Sequence, residues 1–293
     1  MNGTLSQQMG RHPNIAILPS GELISLWTEL INFEFRGLGM AVSGTSDGSF
    51  VSPSLSEGLI AEINDVAGLD TAGYGVPDEI FVDEKNGTFY FGGGIINETY
   101  TPYLFKSSDK GKTHDLVKLW KNASNGGFVA GGNPSHGDFF NDYGNFIMSI
   151  NPDSAYAVKN GLDYNRYYPY LVRFENGSIT EEGFIDIDDV FAAAGVDAWE
   201  YEFDVVTDRN GNWHLFIQAF KSGTPSVNAG IYEIYSNTPS LTDFDIVKVA
   251  DITLTTFLID TEYNLYGHAD IHAARDAEGK YVFVKYLDWD PTD

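Results

Sequence analysis

Apolar and polar positions along this chain fall into paired short runs, and the pairs recur. The first is His12-Pro-Asn-Ile-Ala-Ile-Leu, a Pro-Ser-Gly-Glu turn, then Leu-Ile-Ser-Leu-Trp27. Related pairs begin near Pro77 (PDEIFVDEKNGTFYFGG), His136 (HGDFFNDYGNFIMSI), Glu202 (EFDVVTDRNGNWHLFIQA) and His268 (HADIHAARDAEGKYVFVKY). Each reads as a polar opening, a short apolar strand, a tight turn with glycine, and a second strand rich in β-branched and aromatic residues. That is the signature of a β-hairpin. The copies start roughly 60 residues apart. A hairpin returning at that interval predicts a radial repeat of β-sheets.

Third strands are predicted at 39–43, 102–106, 168–174 and 230–235, each followed by a turn and a fourth strand. The reading is therefore all-β, a β-propeller of five or six four-stranded antiparallel blades. One domain spans 1–293, with blades starting near residues 12, 77, 136, 202 and 268. The last copy reaches Asp293 after about 26 residues, so that blade is expected to be incomplete in this chain. The expectation is that the polypeptide continues beyond Asp293, with additional domains or a protein partner, or that the propeller closes unusually. The long connections 122–134 and 151–166 read as face loops. One short helix is predicted at 187–194, with Asp186 as its N-cap. Gly92-Gly-Gly94 follows a strand but precedes no helix or phosphate-binding lysine, so it reads as close packing.

Between the third and fourth strands of the second repeat stands Ser107-Ser-Asp109-Lys-Gly111-Lys-Thr113-His114. The Asp109 carboxylate can accept N–H groups inside such a turn, Gly111 can take positive φ, Ser107 and Thr113 can bridge it, and the aromatic His114 can pack back on the sheet. A shortened form, Ser46-Asp47-Gly48-Ser49-Phe50, occupies the same place in the first repeat. Through these turns the chain resembles the sialidase-like Asp-box, or BNR-repeat, propellers. Arg11-His12-Pro13 looks like the Arg-Ile-Pro strand opening of that family, whose arginine grips a substrate carboxylate. Glu202 stands where the family carries the glutamate that polarises a tyrosine nucleophile. The family's second arginine is replaced by Ile217-Gln218-Ala219. Thr28-Glu29-Leu30-Ile31 fills another arginine's place, and Arg36 lies too far on to match. The carboxylate-gripping triad is incomplete, and true sialidase activity is not expected.

Aligning the repeats on their first strands puts Asn14, Glu79, Asp138, Asp204 and His272 at one level. His12, Pro77, His136, Glu202 and Asp270 come two residues earlier, with His268 two further back. Residues two apart share a strand face, so each repeat points a polar pair the same way. Four of the six His residues fall in this set. Three readings stand side by side: polar groups that satisfy backbone and water, a carbohydrate site, or a cation site in which Asp and Glu oxygens take Ca2+. For glycoside hydrolysis the candidate carboxylates are Asp138, Glu202 and Asp204. For β-elimination from a uronic acid the pair would be His136 and a tyrosine of 164–170, with Arg166 or Arg11 neutralising the carboxylate. Tyr164 and Tyr167 can stack on a sugar ring.

The 293 residues carry a net charge of −25, which repels nucleic acid and anionic membranes. No apolar run approaches 18 residues, so no membrane insertion is expected, and the N-terminus shows no signal peptide. With no cysteine there is no disulfide, zinc–thiolate or thiol nucleophile. Five Asn-x-Ser/Thr triplets begin at Asn2, Asn86, Asn97, Asn122 and Asn176. The sequence reading is an extracellular or cell-surface glycan-binding propeller serving recognition or adhesion. The alternative is a carbohydrate-active enzyme, a glycoside hydrolase or polysaccharide lyase, at the axial mouth.

Overall fold

The computed structural model describes residues 9–31, 34–44, 50–51, 79–95, 101–120, 128–129, 135–152, 154–163, 166–221, 229–252 and 271–286. They form four antiparallel meanders and a hairpin. The first sheet runs β1 (Met9–Ile17), β2 (Leu23–Ile31), β3 (Glu34–Ser43) and β4 (Phe50–Val51), in that order. The second is β5 (Ile80–Asp83), β6 (Thr88–Ile95), β7 (Thr101–Ser107) and β8 (Asp115–Leu119). A short β9 (Phe128–Val129) precedes the third, which orders β10 (Ser135–Phe140), β11 (Tyr143–Pro152), β12 (Tyr168–Glu175) and β13 (Ser178–Phe184), with β9 also on β11. The fourth is β14 (Ala198–Thr207), β15 (Trp213–Phe220), β16 (Gly230–Ser236) and β17 (Phe244–Asp251). The last pairs β18 (His272–Arg275) with β19 (Val282–Lys285). All four predicted third strands are present, as β3, β7, β12 and β16.

The hairpin turns follow from their residues. One residue in each takes positive φ: Gly21, Gly87, Asn141, Gly211 and Gly279. In the third hairpin the sequence pointed to glycine, but Asn141 fills that place at φ 55°, while Gly144 lies within β11. Asparagine tolerates the left-handed region better than other side chains. Three of these turns are capped from inside by an aspartate. Asp208 Oδ1 accepts the N–H groups of Asn210 and Asn212 at 2.7 and 2.9 Å. Asp276 Oδ1 accepts those of Lys280 and Tyr281 at 2.7 and 2.9 Å, and Asp83 Oδ1 that of Lys85 at 3.0 Å.

The turn from β7 to β8 is built as its residue types dictate. Asp109 accepts Ser107 Oγ–H (2.9 Å), Thr113 N–H (2.9 Å) and Thr113 Oγ–H (2.7 Å). Gly111 N–H donates to Ser107 Oγ, and Lys110 and Gly111 both take positive φ. His114 is buried, edge-on to Phe89 and Phe91. Burial pushes the Asp109 carboxyl up, but the hydrogen bonds from Thr113, Ser107 and Lys112 outweigh it and hold the group below its ordinary value.

Two helical segments need correction against the sequence reading. Within 151–166, read as loop, lies α1 (Ser154–Asn160). Only Ala157 of it is buried, so it has no apolar stripe to betray it. Its end is a Schellman-type stop, with Gly161 at φ 77° and Leu162 N–H donating to the Ala157 carbonyl. The predicted helix forms as α2 (Asp188–Ala193), but its N-cap is Ile187, which makes no side-chain cap bond. Asp186 caps from one residue further out, accepting Asp188 N–H at 3.2 Å. Burial raises its carboxyl's pKa.

The chain divides into two compact units, Met1–Asn141 with Ile150–Tyr167, and Asp142–Ser149 with Tyr168–Asp293. The core of the first packs Leu18, Ile24, Leu26, Leu38 and Met40 from the first sheet on Ile80, Phe89, Phe91, Tyr103 and Phe105 from the second. In this unit β5 lies against both β1 and β10, so first strands sit beside one another. In the second unit Phe216 and Ile231 pack on Ala273, Val282, Val284 and Tyr286, and β14 lies against β18.

Candidate functional site

Because first strands neighbour one another, the polar residues that open them are brought into reach of the next strand. In the first unit Glu79, immediately before β5, reaches the opening of β10. Its Oε2 lies 3.2 Å from His136 Nδ1 and accepts Gly137 N–H at 3.2 Å. Gly137 permits this approach. A Cβ there would sit 2.7 Å from the Phe81 ring, which is buried and stacked on Phe139 and Tyr90. The side chains of His136 and Glu79 are 19% and 39% exposed, so the pair is held by protein yet open to solvent. With Nδ1 donating to Glu79, Nε2 is the basic nitrogen of the neutral ring. Asp138, half-buried, is two residues on in the same strand and shares the His136 face.

The second unit uses a carboxylate in a parallel way. Asp204, buried in β14, accepts Val205 N–H on Oδ1 (2.7 Å) and Ala273 N–H on Oδ2 (2.6 Å). Both aligned acids, Glu79 and Asp204, therefore hold the backbone at the head of a following first strand. Part of the polar set satisfies backbone groups, as one of the three sequence readings required. Asn14 is half-buried and His272 is exposed. β1 shifts register between Arg11 and Asn14, and β14 between Trp199 and Phe203. His12 and Glu202 thus sit in corresponding irregularities of the first and fourth repeats. Bulges of this kind re-aim side chains and concentrate near working sites. The side chains of Arg11, His12 and Glu202 are not among those described. Asp47, Tyr164, His268 and Asp270 lie outside the described residues. Arg166 Nε is 3.5 Å from Asp163 Oδ2, and Tyr167 beside it is half-buried.

Sequence reasoning missed a second acid–imidazole cluster. His214, at the turn end of β15, places Nδ1 2.6 Å from Glu233 Oε1 and Nε2 4.0 Å from Asp208 Oδ2. Its ring stacks on Tyr235. Glu233 meets His214 only because β15 and β16 pair His214 with Tyr235, a register that local sequence does not announce, whereas Asp208 reaches it from the β14–β15 turn. Asp208 is already the turn cap, which ties the cluster to the hairpin. Arg173 was also missed. It is buried and donates to the Pro239 carbonyl, to Gly211 O (3.4 Å) and to Glu181 (3.4 Å), with burial lowering its pKa.

No protein-family model and no curated protein matches the sequence. Solved structures do resemble the fold. An α-L-arabinanase of Penicillium chrysogenum, complexed with arabinobiose, aligns at TM-score 0.56 and 12% identity, over 94% of this chain and 74% of that one. A Hadza microbial sialidase aligns at 0.51 and 16%, over 85% and 48%. A mutant α-L-arabinofuranosidase of Fusarium graminearum, bound to an iminosugar inhibitor, aligns at 0.50 and 10%, over 97% and 82%. At these identities the likeness is one of fold. The chain is an all-β protein of four-stranded antiparallel sheets, similar in fold to propeller-type glycosidases.

Proposed function

We propose that this chain is a carbohydrate-active enzyme, a glycoside hydrolase on a sialidase-like β-propeller of five or six blades, acting where its first strands open. The solved structures similar to it include glycan-cleaving enzymes, which favours the enzyme over the recognition module. The side-by-side first strands within each unit and the Ser107–Asp109–Thr113 turn support the propeller and the Asp-box resemblance. An extracellular or cell-surface setting, where polysaccharide is met, goes with this reading.

The observation that carries the proposal is the Glu79–His136 pair with Asp138 on the same strand face. Two strand residues of one face stand about 7 Å apart. That backbone spacing is of the same order as the roughly 6.5–9.5 Å that inverting glycosidases keep between their two carboxyl groups, which leaves room for a water. In the proposed step His136, as imidazolium, gives its Nε2 proton to the leaving glycosidic oxygen while Glu79 steadies Nδ1–H. Asp138 takes a proton from the attacking water. The C–O bond to the leaving sugar breaks, a new C–OH bond forms, and His136 and Asp138 later exchange protons with solvent. Asp204 has a structural part, since both its oxygens hold backbone N–H groups.

Reducing-sugar release from arabinan, arabino-oligosaccharides, other plant and host glycans and sialosides is the direct test. Turnover is expected, with His136→Ala and Asp138→Asn each lowering kcat by about 100-fold or more at unchanged Tm. Glycan retention without any turnover would return the chain to the recognition reading.

A further inference from the structure

The dipeptide Asn-Gly occurs six times in the sequence, and four copies lie among the described residues: Asn86-Gly87, Asn160-Gly161, Asn176-Gly177 and Asn210-Gly211. Asparagine is chemically labile in this setting, because glycine has no Cβ to keep its own amide nitrogen away from the preceding side-chain carbonyl carbon. Local hydrogen bonds treat the four copies differently. Asn86 Nδ2 donates to Asp83 Oδ2 at 2.6 Å, its Oδ1 accepts Thr88 N–H at 2.8 Å, and Gly87 N–H donates to the Asp83 carbonyl at 2.8 Å. Asn210 Nδ2 donates to Asp208 Oδ2 at 3.2 Å, and Gly211 N–H to the Asp208 carbonyl at 3.0 Å. Asn160 Nδ2 donates to the Tyr156 carbonyl at 2.8 Å. In these three copies the asparagine side chain is tied, and in two of them the following amide nitrogen is tied as well.

Asn176-Gly177 differs from all three. The pair forms the two-residue turn between β12 and β13, across which Glu175 pairs with Ser178, and takes φ of 51° and 73°. The turn is anchored through its backbone, with Asn176 N–H donating to the Asp142 carbonyl at 2.7 Å. Among the described residues, the Asn176 side-chain amide and the Gly177 N–H have no hydrogen-bond partner. Glu175, Asn176 and Ser178 meet water. The leaving amide and the attacking nitrogen are thus both unengaged at this copy.

We infer that Asn176 is a site of spontaneous covalent modification, deamidating through a cyclic imide in the folded protein ahead of Asn86, Asn160 and Asn210. The Gly177 nitrogen attacks Asn176 Cγ, the new N–Cγ bond forms and the Cγ–Nδ2 bond breaks. The Gly177 proton leaves with that nitrogen as ammonia. Water then opens the imide, giving aspartate where the new N–Cγ bond breaks and isoaspartate where the original peptide C–N bond breaks. One water enters for each ammonia lost. Either product adds a carboxylate next to Glu175, in the turn tied to the Asp142 backbone. Isoaspartate also routes the chain through Cβ, which lengthens the two-residue turn that sets the β12–β13 register.

Peptide mapping of the folded 293-residue chain, held in mildly alkaline buffer and sampled over weeks, is the test. Deamidation raises a peptide's mass by about 1 Da, and fragmentation locates the residue and separates aspartate from isoaspartate. The segment 174–209 between Arg173 and Arg209 contains Asn176 as its one asparagine, so its signal is unambiguous. Asn176 should convert about 10-fold or more faster than Asn86 and Asn210, where side chain and amide must both be released, and about 3-fold or more faster than Asn160. In concentrated urea, where those bonds are gone, the four rates should fall within about 3-fold of one another. A folded-state lead of Asn176 below about 3-fold over any of the other three overturns the inference. A lead that persists unchanged in urea overturns it too, because neighbouring sequence and not the hydrogen-bond pattern then sets the rate.

Discussion

Replacing Asp109 by alanine removes the acceptor of three hydrogen bonds at once: from Ser107 Oγ, Thr113 N and Thr113 Oγ. Bonds to a charged acceptor are worth about 1.5–3 kcal/mol each when well buried. This turn is half-open to water, which replaces part of each loss, so about 1 kcal/mol apiece is the appropriate scale. The sum, about 3 kcal/mol, corresponds to a fall in Tm of roughly 6 °C or more in a chain of this size. Asp109→Asn keeps an acceptor oxygen and should lose about a third of that. The pH dependence separates charge from shape. Asp109 is held below its unfolded value of about 3.9, so its contribution is complete above that pH and is lost as pH falls through the folded value. The gap in Tm between wild type and Asp109→Asn should therefore be constant from pH 7 to pH 5 and shrink below pH 4. Calorimetric or circular-dichroism melts over that range are the assay. An Asp109→Ala protein melting within 1 °C of wild type at pH 7, or a gap that widens in acid, would refute the reasoning.

Three further outcomes are expected. Thr207→Val keeps the shape of a fully buried residue but removes the oxygen that Asn145 Nδ2 meets at 2.9 Å, and should cost about 1–3 kcal/mol in urea unfolding. Gly137→Ala places a methyl 2.7 Å from the stacked Phe81 ring and should cost about 1–3 kcal/mol, while Gly87→Ala, in open space at φ 74°, should cost only its backbone strain of about 1–2 kcal/mol. Comparing the two melts separates overpacking from conformation. Arg173→Met should lower Tm, because the Pro239 and Gly211 carbonyls lose a shared donor, and Arg173→Lys should not restore it, because one ammonium cannot span both.

Much of this protein was decided within a few residues of each position. Short apolar runs on either side of a glycine turn, from Ile15 to Trp27 and from Asp204 to Phe220, specified paired strands. The Ser107–Thr113 turn could be drawn bond by bond, since its partners are no more than four residues apart. The helix at 154–160 escaped for the matching reason: one buried alanine leaves no periodic trace. What tertiary structure alone decided is which polar groups meet. Glu79 finds His136 at a separation of 57 residues, Asp204 finds Ala273 at 69, and His214 finds Glu233 through strand register. The sequence could align Glu79, Asp138 and Asp204 at one level, but not say which of them reach a neighbouring strand's backbone. That choice depends on the distance between first strands and on the Phe81 ring against Gly137, both set by packing rather than by local chemistry.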